Sequence, residues 1–275
     1  MLGPMTSTTR RPTIRSVALP TEHGGWGLTL EPGILGVLLA PSLAGVALGV
    51  GALAVFLVRT PLRLVLIGRH RGEARPRSAS SAVRARLAGR VAAVELVVLA
   101  VSLSLTAWLA VEPLWWLPGL VAAPLLVVAL WFDARSLSRH QVPELLGSMA
   151  VASVAAMGAL AGGASWVLAI GAWLILIARI LSSIPHVRAQ VHRIHGRQPP
   201  SLPGVVGDVG AVAVTVLAVL LEPSLALGGL AIVALVVVQR VTLARPPRAA
   251  KVLGVRQMAL GFTVVGATAL GAWLL

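Results

Sequence analysis

The sequence predicts an all-α, polytopic membrane protein of about nine transmembrane helices. Three observations carry that prediction. Charged residues make up 12% of the chain and hydrophobic ones 57%, about half the charge that a soluble surface requires. The apolar residues gather in stretches of about 20, the length a helix needs to cross ~30 Å of hydrocarbon. The basic residues fall between those stretches and, when the stretches are threaded through a membrane, all on one side.

Nine stretches fit, at residues 26–40, 45–68, 88–110, 114–132, 143–161, 165–184, 203–221, 224–241 and 255–275. The first is the shortest, and Pro32 within it is expected to break the helix just after Glu31 and free carbonyls to a cavity. The second opens on the small pair Gly45 and Gly49, which permits close helix approach. It closes on Arg59-Thr60-Pro61-Leu62-Arg63, where Pro61 can kink the helix between two arginines. The third holds Glu95 about one and a half turns beyond Arg90, within reach of a pairing with Arg59 or Arg63. The fourth follows the Glu112-Pro113 turn.

The fifth begins with Pro143 and Glu144, a proline suited to the first helical position and an acid that complements the helix N-terminus. The sixth ends before Pro185, and the His- and Arg-rich run from His186 to Arg197 reads as a loop. The seventh follows a Pro-Ser-Leu-Pro-Gly turn, with Asp208 complementing its start. The eighth follows Glu222-Pro223, an outer turn of the same kind as Glu112-Pro113. The ninth closes the chain. Trp115, Trp116, Trp166 and Trp273 mark the outer ends and Trp26 and Trp131 the inner ends, as an interfacial aromatic belt requires.

Lys plus Arg count 23 against 9 Asp plus Glu, a net charge of +14. Every cation lies in the N-terminal tail, in the connections after spans two, four, six and eight, or in the adjoining parts of the flanking spans. Because cytoplasmic segments retain Lys and Arg, the N-terminus is placed inside and the C-terminus outside. The organisation expected is a polar basic tail over residues 1–20 and one transmembrane domain over 21–275, with a long basic loop at about 69–87. The tail lacks the apolar core of a signal peptide, so the first span should serve as an uncleaved anchor. Basic residues confined to short loops between spans point to anionic lipid headgroups at the cytoplasmic face as partners, and not to nucleic acid. The absence of Cys excludes disulfides, thiolate metal sites and Cys nucleophiles. Nucleotide-binding glycine motifs and the serine-hydrolase elbow are also missing.

Ionisable side chains are costly in lipid and mark function by default. Seven of the nine acids and all six His lie at or near the cytoplasmic side, so a site should open there. His23, Glu31 and Glu144 are the candidates for acid, base or orienting roles. Arg59 and Arg63, four apart on one helical face, Arg139 above the start of span five, and His186 with Arg188 are the candidates for holding an anion. His192 and His195 have the spacing to share a metal but no acid nearby, and no metal site is expected.

Three segments carry a resemblance. Glu22-His23-Gly24-Gly25-Trp26, Arg59-Thr60-Pro61-Leu62-Arg63 and Pro143-Glu144-Leu145-Leu146-Gly147 resemble the YwiC-like family of bacterial membrane proteins, a likeness that supplies no activity. The chain is more distantly similar to the UbiA prenyltransferase superfamily. That similarity implies a nine-helix bundle, an inside N-terminus and a cytoplasmic-side cavity for an isoprenyl diphosphate. The superfamily's Asp-rich magnesium motifs are replaced here by Arg59 and Arg63 and by His186 and Arg188. If the protein is an enzyme, the resemblance implies a transferase acting on a lipid or isoprenoid substrate without a magnesium-bound diphosphate. The function expected is therefore that of a bacterial cytoplasmic-membrane protein whose cytoplasmic-facing polar cavity binds or acts on an anionic or isoprenoid lipid phosphate. The alternatives are a permease for a small anion and a non-catalytic membrane scaffold. No cofactor is indicated by any motif.

Overall fold

The computed structural model describes residues 25–70, 79–135 and 140–275, with backbone only at Gly25 and at residues 63–70, 79–82, 133 and 134. Among the described residues there are nine α-helices and no strand: α1 (Gly25–Leu39), α2 (Leu43–His70), α3 (Ala79–Leu109), α4 (Leu117–Ala134), α5 (Gln141–Ala161), α6 (Trp166–Ile194), α7 (Ser201–Leu221), α8 (Ala226–Leu243) and α9 (Ala250–Leu274). Each corresponds to one of the nine stretches read from the sequence. Seven are long and apolar enough to cross a membrane, while the apolar parts of α1 and α4 are shorter, Trp26–Leu39 and Leu117–Phe132. The 15 residues of α1 rise about 22 Å.

Several local expectations are corrected. Pro32 lies inside α1, which continues to Leu39. Likewise Pro185 lies inside α6, which runs on through His186, Arg188 and His192 to Ile194, so the histidine-rich run is helix and not loop. A proline removes one backbone bond. In a bundle, neighbouring helices can compensate that loss, and α1 and α6 are both packed by several neighbours. Asp208 stands in the eighth position of α7 rather than at its start. Trp115 sits near the expected level but is turned into the core, 8% exposed. Helix α3 begins at Ala79, well inside the segment expected as a loop to residue 87, because Ala, Arg and Leu in that run favour helix beyond the apolar stretch.

Residues 53–101 form one compact unit, and residues 25–52 with 102–275 form a second. In the second, α6 is central: it packs on α1, α5, α7, α8 and α9. Its apolar stretch is 67% buried, against 22% for that of α7. Leu35 of α1 and Trp173 and Leu176 of α6 share one buried cluster with Leu160 and the alanine face of α5, Ala152, Ala155, Ala156 and Ala159. Ile175, Leu225, Ile232, Leu235 and Val264 form a second cluster. Lipid supplies no hydrophobic drive for helix association, so close packing through small residues must provide it. Gly36 of α1 meets α5 in this way; a Cβ there would stand 2.9 Å from the Ala155 carbonyl and 3.2 Å from Gly158 Cα. The Glu-Pro turns also behave alike: Glu112 Oε1 accepts from Leu114 N at 3.2 Å, and Glu222 Oε1 from Ser224 N at 3.4 Å.

Candidate functional site

One face of α6 carries Arg179, Ser182, Ser183, His186 and Gln190, all buried. Their spacing of three and four residues aligns them in a single stripe facing the bundle interior. Deepest in it is Arg179. Its Nη2 donates to Glu31 Oε1 at 2.7 Å and to the Gln257 carbonyl at 3.1 Å. Its Nε lies 2.6 Å from Glu31 Oε2, outside hydrogen-bonding geometry. Glu31 is 1% exposed and Arg179 2%. Gly261 makes room for the pair, since a Cβ there would run into the Glu31 carboxylate and the Arg179 guanidinium. At that depth neither charge is tolerable without the other.

A second layer lies toward the basic end, where α6 and α8 finish and α7 and α9 begin. Ser182 Oγ is 2.6 Å from Asp208 Oδ1 and 2.8 Å from Gln239 Oε1. One hydroxyl proton between two acceptors goes to the charged one, which accepts more strongly. Gln239 Nε2 donates to Ser183 Oγ at 3.0 Å and to Gln257 Oε1 at 3.3 Å. Arg240 pairs with Asp208 Oδ2. Ser182, His186, Asp208, Gln239 and Arg240 line a cavity of about 140 Å³, whose other walls include Pro185, Pro199 and Pro200.

A larger cavity, about 220 Å³, lies between α6, α8 and α9. Arg245, Arg248 and Arg256 line it together with Gln190, Thr242, Pro246, Val252 and Leu253, and no carboxylate is among the lining residues. Arg256 Nη2 lies 3.1 Å from His186 Nε2. A guanidinium can only donate, so His186 accepts through Nε2 and carries its proton on Nδ1. The imidazole thereby positions Arg256 without cancelling its charge. Gln190 Nε2 donates to the Thr242 carbonyl at 3.2 Å, and Arg193 Nη1 donates to the Leu243 carbonyl; both tie α6 to α8. Elsewhere at this end Arg188 Nη1 pairs with Glu144 Oε2 at 2.9 Å on partly exposed surface.

The expected residues thus divide. Glu31 is turned to Arg179 and Glu144 to Arg188, while His186 stands between the two cavities. Arg59 belongs to the other compact unit. His23, Arg139 and the Arg63 side chain lie outside the described residues. His192 and His195 each place Nδ1 2.8 Å from a carbonyl of their own helix, those of Arg188 and Val191. Sequence reasoning did not single out Arg179, Gln190, Gln239, Gln257 or Arg256. The signal for part of this set was present in the spacing of polar residues along α6, which continues the helical period past Pro185.

Among the described residues, seven long apolar helices and two shorter ones define a multi-pass helical membrane protein. The model of the family described as YwiC-like protein matches residues 19–159, and the chain belongs to that family. The matched residues include Glu31, Arg59 and Glu144 but end before α6, so both cavities lie outside the match. No curated protein and no solved structure matches the chain, and the likeness to the UbiA superfamily rests on the sequence pattern alone.

Proposed function

We propose that the basic end of the α6–α9 bundle is a cytoplasmic-facing site for the phosphate of an anionic membrane lipid, in the cytoplasmic membrane of a bacterium. The observation that carries this reading is a pattern of charge. Glu31, Glu144 and Asp208 each engage an arginine, namely Arg179, Arg188 and Arg240. Arg245, Arg248 and Arg256 converge on one cavity that no carboxylate lines. Guanidiniums present planar, multiple donors that suit phosphate oxygens. Sidedness supports the same reading, because a basic end faces the cytoplasm under the positive-inside rule, where anionic lipid is at hand.

The test is lipid binding to the detergent-purified protein, read by native mass spectrometry with phosphatidylglycerol against phosphatidylcholine. Preferential binding of the anionic lipid is expected. Arg248→Gln and Arg256→Gln should each weaken it about threefold to tenfold, the range for loss of one charge-assisted contact. Arg197→Gln, on exposed surface outside the cavity, should leave it unchanged. Binding indifferent to both cavity arginines would sink the proposal.

A further inference from the structure

Two buried polar atoms on residues that line the larger cavity have no partner among the described residues. One is Arg256 Nε, a donor on a cation; the other is Gln190 Oε1, an acceptor. Gln190 is 4% exposed. Its amide orientation is set by the bond from Nε2 to the Thr242 carbonyl, since turning it over would bring two carbonyl oxygens together. Oε1 is therefore left requiring a donor. A bare phosphate diester supplies only acceptors and would leave Oε1 unsatisfied, at a cost typical of a buried unpaired group. About 220 Å³ is also well beyond the ~15 Å³ that one water needs on a comparable measure, so there is room for more than a single ion.

From this donor and acceptor set we infer that the cavity takes a phosphate ester of a polyol. The phosphate oxygens meet Arg245, Arg248 and Arg256, and a hydroxyl of the same headgroup donates to Gln190 Oε1. This rests on the anionic-lipid reading above and adds the hydroxyl as the feature recognised. The shared chemistry, a phosphate beside a hydroxyl, is offered both by a glycerol-type lipid headgroup and by a soluble sugar or glycerol phosphate.

The decisive comparison holds charge constant. Phosphatidylglycerol and phosphatidylethanol carry the same phosphodiester charge and differ in the headgroup hydroxyls. Wild-type protein should bind phosphatidylglycerol about tenfold more tightly, and Gln190→Leu should level the two. Should that variant fail to fold, competition on the wild type decides. Glycerol 3-phosphate should displace bound phosphatidylglycerol at lower concentration than methyl phosphate does. Displacement at concentrations similar to those of the lipid identifies the soluble ester as the source, and displacement only at far higher concentrations identifies the lipid. Equal binding of the two lipids, both weakened by Arg256→Gln, would overturn the hydroxyl inference and leave the anion site standing. Binding of neither lipid would overturn both.

Discussion

A carboxylate in the middle of a transmembrane bundle needs a cation within reach, and Glu31 finds Arg179 on the central helix. Removing one partner strands the other, whereas replacing both with apolar residues restores a neutral interior. Glu31→Gln should therefore destabilise the protein by about 3–5 kcal/mol, seen as a lower midpoint of thermal unfolding by tryptophan fluorescence in detergent. Adding Arg179→Met to Glu31→Leu should recover most of the loss. A Glu31→Gln protein as stable as the wild type would show that the pair does not hold the bundle. The sequence pointed to Glu31, because an acid amid apolar residues is conspicuous. It did not pair it, since the residues that meet are 148 positions apart. Arg256 was equally hidden: among so many basic-end arginines, only the third dimension separates those given a carboxylate from those left without one.

Among the helices, the contact of α1 with α5 is the sharpest case of packing set by single atoms. A methyl group on Gly36 would meet backbone at 2.9 and 3.2 Å, whereas one on Gly158 meets Gly36 Cα at 3.4 Å, an ordinary contact. Gly36→Ala should thus cost about 1–3 kcal/mol, the range for an overpacked interior, and Gly158→Ala distinctly less. Unfolding of the two variants side by side checks the order, and equal stability would refute it. Helix existence was legible from apolar length, and the boundaries of α1 and α5 fall within two residues of the expected ones. The ends of α3 and α6 were not legible, because both helices continue through polar sequence that hydropathy alone assigns to loops. Pro185 misled for the same reason: its intrinsic preference to break a helix was overridden by packing on α7 and α8.

On the scale of the whole chain, the two short apolar helices α1 and α4 determine the parity of the threading. If α4 crosses together with α5 and α6, three crossings separate the turn at Val111 from the link at Gln198, and the two lie on opposite sides of the membrane. The absence of native Cys leaves a clean background for labelling. Val111 is 70% exposed and Gln198 is exposed. Val111→Cys should react with an impermeant thiol reagent in intact cells and Gln198→Cys only after permeabilisation. Equal labelling of both in intact cells would contradict the nine-span topology.

By itself, the sequence determined that this is a helical membrane protein, where its nine apolar segments lie and that most of its cations gather at alternate ends of them. These properties are additive along the chain, governed by the transfer of each segment between water and lipid. Only the tertiary structure decided which arginines are neutralised, that His186 presents a neutral nitrogen to Arg256, and that Gln190 and Arg256 line a shared cavity. Those outcomes depend on which groups from distant helices come within about 3 Å, the range of a hydrogen bond, and that distance is set by packing rather than by composition.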